Sequence, residues 1–285
     1  MSPHRKAGPP VRKGAAFPFQ ISIVCWIDLL GYGAMIAEAD FNPLHQKAAD
    51  AMSRLRLFHK VVASHSNRYL PTLVMNDGAV AYRDLSLRSR GPTQDFLVRV
   101  WDLFTSINDD EKQRGFPGAR AVLATGFRMR GRRAGMEATS SQFSSVIRRF
   151  ANGDIDANEA IREAAHIRQS FDIVPELQAN FAFSKAYVAG CGGSAAGLGG
   201  ANFFVDLAIF QTKKPDWVVS GATVDWSNEK LCMKASFAPI LQILPCKHAE
   251  GGSLDLRDGL EVAQHLTHDA NVLDALRNAA KPPIM

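Results

Sequence analysis

One apolar run that ends on an acidic residue constrains this chain more than any other stretch. Residues 21–27 (ISIVCWI) have the composition of a buried strand, and Asp28 follows directly. A Gly31-Tyr32-Gly33 turn then opens a helical segment. The carboxylate at the strand end can ligate a cation, while loop amides and the helix N-terminus favour negative charge. An aspartate that only caps its own loop is the alternative interpretation.

The overall composition is that of a soluble globular protein. The 285 residues are 46% hydrophobic and 21% charged, and they suffice for one large domain or two small ones. No apolar run reaches the ~18 residues that would span a membrane. Residues 1–15 are basic and rich in Pro and Gly, without the apolar core of a secretory signal. We therefore expect a disordered basic tail over residues 1–18, a cytoplasmic location and no membrane insertion.

The charge and the cysteines narrow the class of partners. The net charge of +5 favours anionic partners, but much of it lies in the tail and in the cluster RMRGRR at residues 128–133. Aromatic residues do not interleave with the basic ones, so we expect no stable binding of nucleic acid. The cluster either grips phosphate or an acidic partner, or is a solvated loop. The cysteines form no CxxC pair, and we expect reduced thiols at Cys25, Cys191, Cys232 and Cys246.

The first half of the chain alternates strand-like and helix-like segments. Helical spacing of apolar residues appears over residues 42–64, with Leu44 on the apolar side, and over residues 93–107, with Thr93 as a candidate cap. An Asn-Asp-Gly turn inside residues 69–83 predicts a hairpin with Asp77 at its tip. Residues 120–127 form a further buried strand. This order predicts an α+β fold, an α/β sandwich whose helices cover one face of a sheet.

The second half begins with a polar stretch and returns to mixed structure. We expect one domain over residues 19–250, with a helical insertion at about 129–181, and a C-terminal helix within 251–285. The segments predicted in between are a helix over 182–196 and strands over 202–209, 217–224, 230–235 and 240–244. On a single helix over 257–279, Glu261, His265 and His268 share a face, which we interpret as solvated and not as a metal site.

Two carboxylates and one guanidinium form the constellation that carries chemistry. Asp28 and Asp77 meet if their strands are neighbours in an antiparallel sheet. Such a pair is a credible Mg²⁺ or Mn²⁺ site, because cations that handle triphosphates take one or two carboxylates together with phosphate oxygens. Arg120, at the start of its strand, would neutralise phosphate.

Three short motifs carry a resemblance to a known family. IDLLGYG at residues 27–33, VMNDGAVAY at 74–82 and RAVLATG at 120–126 resemble successive signatures of class III nucleotidyl cyclases. The helix and turn that lead into GLGGANFFVD at 197–206 are similar to a fourth region of that family. Together the motifs cover most of the chain, in the family's order.

The resemblance implies a fold, an activity and a set of site residues. The fold would be a ferredoxin-like cyclase domain that works as a homodimer with composite active sites and cyclises a nucleoside triphosphate. Asp28 and Asp77 would bind two metal ions, with Leu29 beside them in the metal site. Main-chain amides of Leu29, Gly31 and Tyr32 would contact phosphates, and Arg120 would offset charge on the leaving pyrophosphate.

The sequence departs from the adenylyl and guanylyl cyclase pattern at the base. Those enzymes carry a base-reading Lys or Glu four residues before the hairpin Asp, where this chain has Leu73. Thr72 and Asn76 are candidate base readers because they alternate along the strand that leads to Asp77. Transition-state residues have no recognisable match; the nearest candidates are Asn180 and Lys185, and Lys185 would stabilise charge on the α-phosphate.

With these departures, the chain resembles the pyrimidine cyclases of Pycsar anti-phage defence. Their products, cyclic UMP or cyclic CMP, activate a separate effector protein. The resemblance therefore implies conversion of UTP to cyclic UMP, with a cytidylate or purine nucleotide cyclase of the same fold as the alternative. A catalytically inactive dimer that binds nucleotides is a further alternative.

A competing interpretation concerns the glycines between Lys185 and Asp206. This stretch can be read as strand, Gly-x-Gly-x-x-Ala turn and second strand, the outline of a dinucleotide fingerprint. Its helix would have about eight residues, whereas a βαβ crossover needs at least ~10–12. Close helix packing is the other explanation for these glycines.

Overall fold

The structure is a computed structural model that describes residues 19–130, 136–167, 174–212, 214–245 and 255–280. The chain divides into two compact units. One comprises Met1–Phe19 and Met129–Ala179, and the other comprises Gln20–Arg128 and Asn180–Met285. The predicted basic tail, Arg132, Arg133 and Cys246 lie outside the described residues.

An eight-stranded mixed sheet organises the described part of the larger unit. In chain order the strands are β1 (Phe19–Leu29), β2 (Thr72–Met75), β3 (Gly78–Asp84), β4 (Ala119–Met129), β5 (Phe203–Asp206), β6 (Val218–Ser220), β7 (Val224–Asn228) and β8 (Met233–Ile243). Their spatial order is β2-β3-β1-β4-β5-β8-β6, and β7 also pairs with β8. β4 and β5 are parallel, whereas β3 is antiparallel to both β1 and β2.

Helices belong to both units. In chain order they are α1 (Tyr32–Glu38), α2 (Gln46–His65), α3 (Gly91–Gln113), α4 (Met136–Ala151), α5 (Ala157–His166), α6 (Phe181–Gly192), α7 (Gly259–Leu266) and α8 (Ala270–Ala279). α4 and α5 lie in the smaller unit, in the segment where the sequence predicts a helical insertion. None of the described helices combines the length and apolar composition that crossing a bilayer requires.

The core forms around β1 and β4. Residues 21–27 are all 5% exposed or less, and most of β4 is buried as well. Because successive strand residues point to opposite faces, this continuous burial means that both faces of the central strands are covered. The predicted α+β class is confirmed, and the burial shows that the central strands are covered on both faces.

Two predicted helix features are also wrong in detail. Leu44 precedes α2 and is 93% exposed, so it belongs to no apolar face. Thr93 lies inside the first turn of α3, where its hydroxyl donates to the Arg257 carbonyl (2.9 Å) and caps nothing.

The C-terminal third differs most from the sequence prediction. The strands predicted at 230–235 and 240–244 belong to one strand, β8, in which Pro239 pairs with Phe204. The single helix over 257–279 is two helices, α7 and α8, capped by Asp258 and Asp269. His268 lies between them, so the predicted common face with Glu261 and His265 does not exist.

The dinucleotide fingerprint is excluded by α6. Residues 181–192 are helical where that interpretation requires a strand and a glycine turn. The alternative of close packing describes Gly190, since a Cβ added there would come 2.7 Å from the Trp26 ring.

Candidate active site

The structure brings Asp28 and Asp77 to one end of the sheet. Asp28 is the second-last residue of strand β1 and pairs with Gly78, the residue that follows Asp77. The Leu29 N–H donates to the Asp77 carbonyl (3.0 Å), which ties the hairpin tip to the end of β1. Asn76 adopts the left-handed conformation (φ 55°) that a two-residue hairpin turn requires.

The two carboxylates interact electrostatically. Burial and, to a lesser degree, the Asp77 charge raise the pKa of Asp28 to about 6 against the opposing effect of Arg120. The Asp28 side chain remains 30% exposed, so it is reachable from solvent. Two carboxylates that repel each other at an accessible position favour a cation between them.

Arg120 faces the pair from the start of β4. Its Nη2 lies 3.8 Å from Asp28 Oδ2 and donates to the Gly190 carbonyl in α6 (2.7 Å). The buried Nε of Arg120 has no acceptor among the described residues, and neither has Trp26 Nε1. These two buried N–H groups beside Gly190 can therefore still donate to an anionic oxygen or to water.

The loop after β1 offers fewer amides than the sequence predicts. Leu29 is buried and its N–H is already bonded to Asp77, so this amide has an acceptor without phosphate. Gly31 has φ +74° and forms the N-cap of α1. Tyr32 is buried, and its pKa is raised first by burial and then by the Asp77 charge.

The two candidate base readers lie at opposite ends of β2. The Asn76 side-chain amide donates to Asp77 Oδ1 (3.0 Å). The main-chain carbonyl of Asn76 lies 3.0 Å from His59 Nε2. Asn76 is therefore next to the carboxylates. Thr72 pairs with Ala81 at the far end of the hairpin, where its hydroxyl contacts Ser66.

Lys185 belongs to a different cluster. Its ammonium is buried and donates to Asp206 Oδ2 (3.0 Å), which also accepts from the Thr125 N–H and hydroxyl (both 3.2 Å). Lys185 lines a cavity of about 480 Å³ together with Phe127 and Phe181. Within the described ranges, no hydrogen bond or ion pair of Lys185 reaches Asp28 or Asp77.

Asn180, the other transition-state candidate, has a structural role in this chain. Its side-chain oxygen accepts from the Phe183 N–H (3.0 Å) as the N-cap of α6. Its amide nitrogen donates to the Ser22 hydroxyl (3.0 Å).

Three further residues near the site have no role in the sequence prediction. Tyr187 packs edge-on against Trp26, and its pKa is raised first by a hydrogen bond with Cys191 and also by the Asp28 charge. Tyr187 and Gly190 are three residues apart on a helix and therefore share a face, so the sequence could have placed Tyr187 beside Gly190. Arg54 and Glu111, which form a buried ion pair, are 57 residues apart and carry no local signal.

The donor set fits a divalent cation that is shared with a substrate. No group of three or more His, Cys, Asp or Glu side chains is arranged to hold a metal within the described residues. Mg²⁺ and Mn²⁺ nevertheless need only one or two carboxylates when phosphate oxygens complete the shell. Asp28 and Asp77 meet that requirement, and the positive charge of Arg120 beside Asp28 suits the phosphates.

Comparisons with known proteins give distant likenesses in structure only. No protein-family model matches the chain, and no curated protein does. The structure is similar to that of the guanylyl cyclase Cya2, with 11% identity, a TM-score of 0.46 and coverage of 85% of this chain and 100% of the other.

Two fungal domains show a similar level of likeness. The guanylate cyclase domain of RhGC from Catenaria anguillulae, in complex with GTP, has 8% identity and a TM-score of 0.44 over 79% of this chain and 99% of the other. A dimeric guanylyl cyclase domain of the RhoGC fusion protein from Blastocladiella emersonii has 10% identity and a TM-score of 0.40 over 79% and 99%. At these values, the function has to be argued from the residues of the chain itself.

Proposed function

We propose that this chain is a metal-dependent nucleotidyl cyclase that converts UTP to 3′,5′-cyclic UMP and pyrophosphate. One observation carries the proposal: two accessible carboxylates, Asp28 and Asp77, converge at one end of the sheet with the Arg120 guanidinium facing them. A carboxylate pair that can hold a cation, beside a guanidinium that can donate to phosphate oxygens, is suited to phosphoryl transfer.

The reaction would need no covalent intermediate with the protein. The ribose 3′-oxygen forms a bond to the α-phosphorus, the bond from that phosphorus to the bridging oxygen breaks, and pyrophosphate leaves while the hydroxyl proton passes to water. A bound Mg²⁺ or Mn²⁺ would supply Lewis acidity at the phosphate and hydroxyl oxygens. Asp28 and Asp77 would hold the cations, and Arg120 would offset the charge of the leaving pyrophosphate.

Base selection is inferred from the hairpin. Leu73 pairs with Val80 and offers no hydrogen-bonding group at the position where purine cyclases have a Lys or Glu. Asn76, beside Asp77, is the better placed of the two candidate base readers, and Thr72 is the more remote. This supports a pyrimidine base, and UTP is proposed over CTP on the resemblance to the uridylate cyclases alone. A cytidylate or purine cyclase is the alternative within the same chemistry.

Lys185 would act only in a composite site. In its own chain it is tied to Asp206 and lines a separate cavity, so its proposed role at the α-phosphate requires a symmetric homodimer. There the Lys185 region of one protomer would complete the carboxylate site of its partner. Cyclic UMP made in this way would activate a separate effector protein in anti-phage defence of the Pycsar type.

A second candidate is a dimer that binds nucleotides without turning them over. The observation that favours it is the engagement of the Lys185 ammonium by Asp206, which leaves no recognised transition-state residue free. Retention of two carboxylates at an accessible position argues for turnover instead, since a binding module has little need of both.

A turnover assay tests the proposal. The purified protein is incubated with Mn²⁺ and separately with ATP, GTP, CTP or UTP, and products are resolved by chromatography. Asp77→Ala is the inactivating variant, and Asp102→Ala, an exposed carboxylate of α3, is the matched control. We expect cyclic UMP from the wild type and Asp102→Ala, and a loss of at least ~100-fold in Asp77→Ala.

Other products would change specific parts of the proposal. A purine product would overturn the inference from Leu73 and keep the cyclase. The absence of any product with all four nucleotides would overturn the cyclase and favour the binding module.

A further inference from the structure

A buried ion pair between α2 and α3 lies directly behind the candidate site. Arg54 Nε donates to both carboxylate oxygens of Glu111 (3.1 and 2.9 Å), and the two side chains are 1% and 4% exposed. Taking both charges out of water costs free energy that their attraction barely returns, so apolar side chains would serve stability equally well. The pair therefore calls for an explanation other than stability.

The Arg54 guanidinium also contacts main chain from the site, while its Nη1 donates to Met35 Sδ (3.6 Å) and its Nη2 also donates to Glu111. Nη2 donates to the Leu30 carbonyl (2.9 Å) and approaches the Gly118 carbonyl (3.5 Å). The Leu30 N–H also donates to the Gly118 carbonyl (2.9 Å). The guanidinium carbon lies 4.7 Å from the centre of the Phe116 ring, which covers it.

These contacts join the two strand ends that carry the site. Leu30 lies two residues after Asp28, and Gly118 lies two residues before Arg120. Holding both carbonyls at one guanidinium fixes the chain on either side of the 3.8 Å separation between Asp28 and Arg120. The guanidinium reaches Glu111 through Nε and Nη2 and the Leu30 carbonyl through Nη2, a spread of donors that the single ammonium nitrogen of a lysine does not offer.

We propose that Arg54, held by Glu111, is a positioning residue that sets the geometry of Asp28 and Arg120. Its relevance to catalysis rests on the proposed function, whereas its hold on the main chain does not. A displacement of about 1 Å at a reacting centre costs ~100-fold in rate. The Arg54–Glu111 pair thus holds the Asp28 carboxylate and the Arg120 guanidinium at a fixed separation without contacting substrate.

The experiment separates positioning from stability with paired substitutions. Arg54→Met/Glu111→Leu keeps the volume and removes both charges, which preserves folding but not the carbonyl contacts. Arg54→Lys keeps the charge pairing and removes the spread of donors. Arg128→Met/Asp84→Leu removes another ion pair of the sheet, at the end opposite Asp28, and serves as the control.

Three readouts are measured on the full chain: thermal unfolding, amide hydrogen exchange at Leu30, and affinity for Mn²⁺ alone by water-proton relaxation. We expect both Arg54 variants to remain folded, with exchange at Leu30 at least ~10-fold faster, Mn²⁺ affinity at least ~10-fold weaker and kcat reduced more than KM is raised. The control should match the wild type in exchange and affinity.

Exchange at Leu30 and Mn²⁺ affinity equal to the wild type in Arg54→Lys or in the double variant would overturn the proposal. Should the double variant fail to fold, Arg54→Lys decides the question by the same readouts. If the wild type forms no cyclic product, the proposed function fails, but the exchange and Mn²⁺ measurements still judge the positioning role.

Discussion

At the scale of single residues, Asp28 gives the protein a distinctive dependence of stability on pH. Its pKa is about 6 in the folded chain against an ordinary value of 3.8, chiefly because of burial. A carboxyl whose pKa is raised by folding contributes stability that is fully present below the unfolded value and is lost as the pH rises through the folded value. The metal-free protein should therefore lose stability between about pH 4 and pH 6 on account of this residue.

Asp28→Asn should remove that loss. We expect the metal-free variant to unfold at a higher temperature than the wild type at about pH 7, with a free energy of unfolding larger by roughly 1–2 kcal/mol after allowance for solvent screening, and to match the wild type near pH 4. Thermal unfolding in EDTA across this range checks the prediction, with Asp102→Asn as the exposed control. Equal unfolding temperatures of Asp28→Asn and wild type at both pH values would contradict it.

Residues at strand ends were predictable from the sequence, and residues behind them were not. Local sequence patterns predict both positions: an apolar run precedes Asp28, and an Asn-Asp-Gly turn contains Asp77. Antiparallel pairing of β1 with β3 then brings the two residues together. The Arg54–Glu111 pair depends on the packing of α2 against α3, which no local pattern encodes. Lys185 was recognisable as a polar residue in an apolar helix, but its partner Asp206 was not.

At the scale of elements, β4 and α6 touch through a glycine. A Cβ added at Gly126 would come 2.5 Å from the Ala182 nitrogen in the first turn of α6, and main chain cannot yield as a flexible side chain would. Gly126→Ala should therefore destabilise the fold by about 1–3 kcal/mol through overpacking. The measurement is denaturant unfolding.

Gly33→Ala is the matched control for this substitution. Gly33 lies in α1 with nothing within 4 Å of an added Cβ, and its φ is helical. Alanine there should stabilise the protein by roughly 0.5–1 kcal/mol, because it lowers the entropy of the unfolded chain. Equal effects of the two substitutions would show that β4 and α6 do not approach as closely as described.

Apolar runs and turn signals predict most elements correctly. The boundaries that depend on a single residue, such as Pro239 or Asp269, are the ones that the sequence does not predict. Pro239 has no amide hydrogen and is therefore unusual inside a central strand, yet it lies within β8, where the sequence predicts two separate strands. Asp269 starts α8 by accepting from the Asn271 N–H (2.8 Å), but an aspartate within a long periodic segment was not recognised as a cap.

At the scale of the whole molecule, the order of strand, helix and hairpin was enough for the α+β class but not for the arrangement of the sheet. β8 lies between β5 and β6 although it follows both in the chain, and this placement depends on long-range pairing. The positions of Asp28 and Lys185 in separate clusters follow from the same arrangement. They raise the question of how one reaction would use both.

The proposed homodimer with composite sites would let one reaction use both, and it predicts complementation. Asp28→Asn and Lys185→Met should each be inactive alone, since every site then lacks one group. Lys185→Met should fold because Asp206 keeps donors from Thr125 and Ala208.

Mixing the two variants under conditions of subunit exchange creates heterodimers with one intact site. Random exchange makes half of the dimers mixed, so about a quarter of the wild-type activity should return in a symmetric dimer. Cyclic nucleotide formation in the mixture measures this recovery, with each variant incubated alone as the baseline. No recovery despite proven exchange would place Lys185 outside the site and leave the carboxylates of a single chain to carry the chemistry.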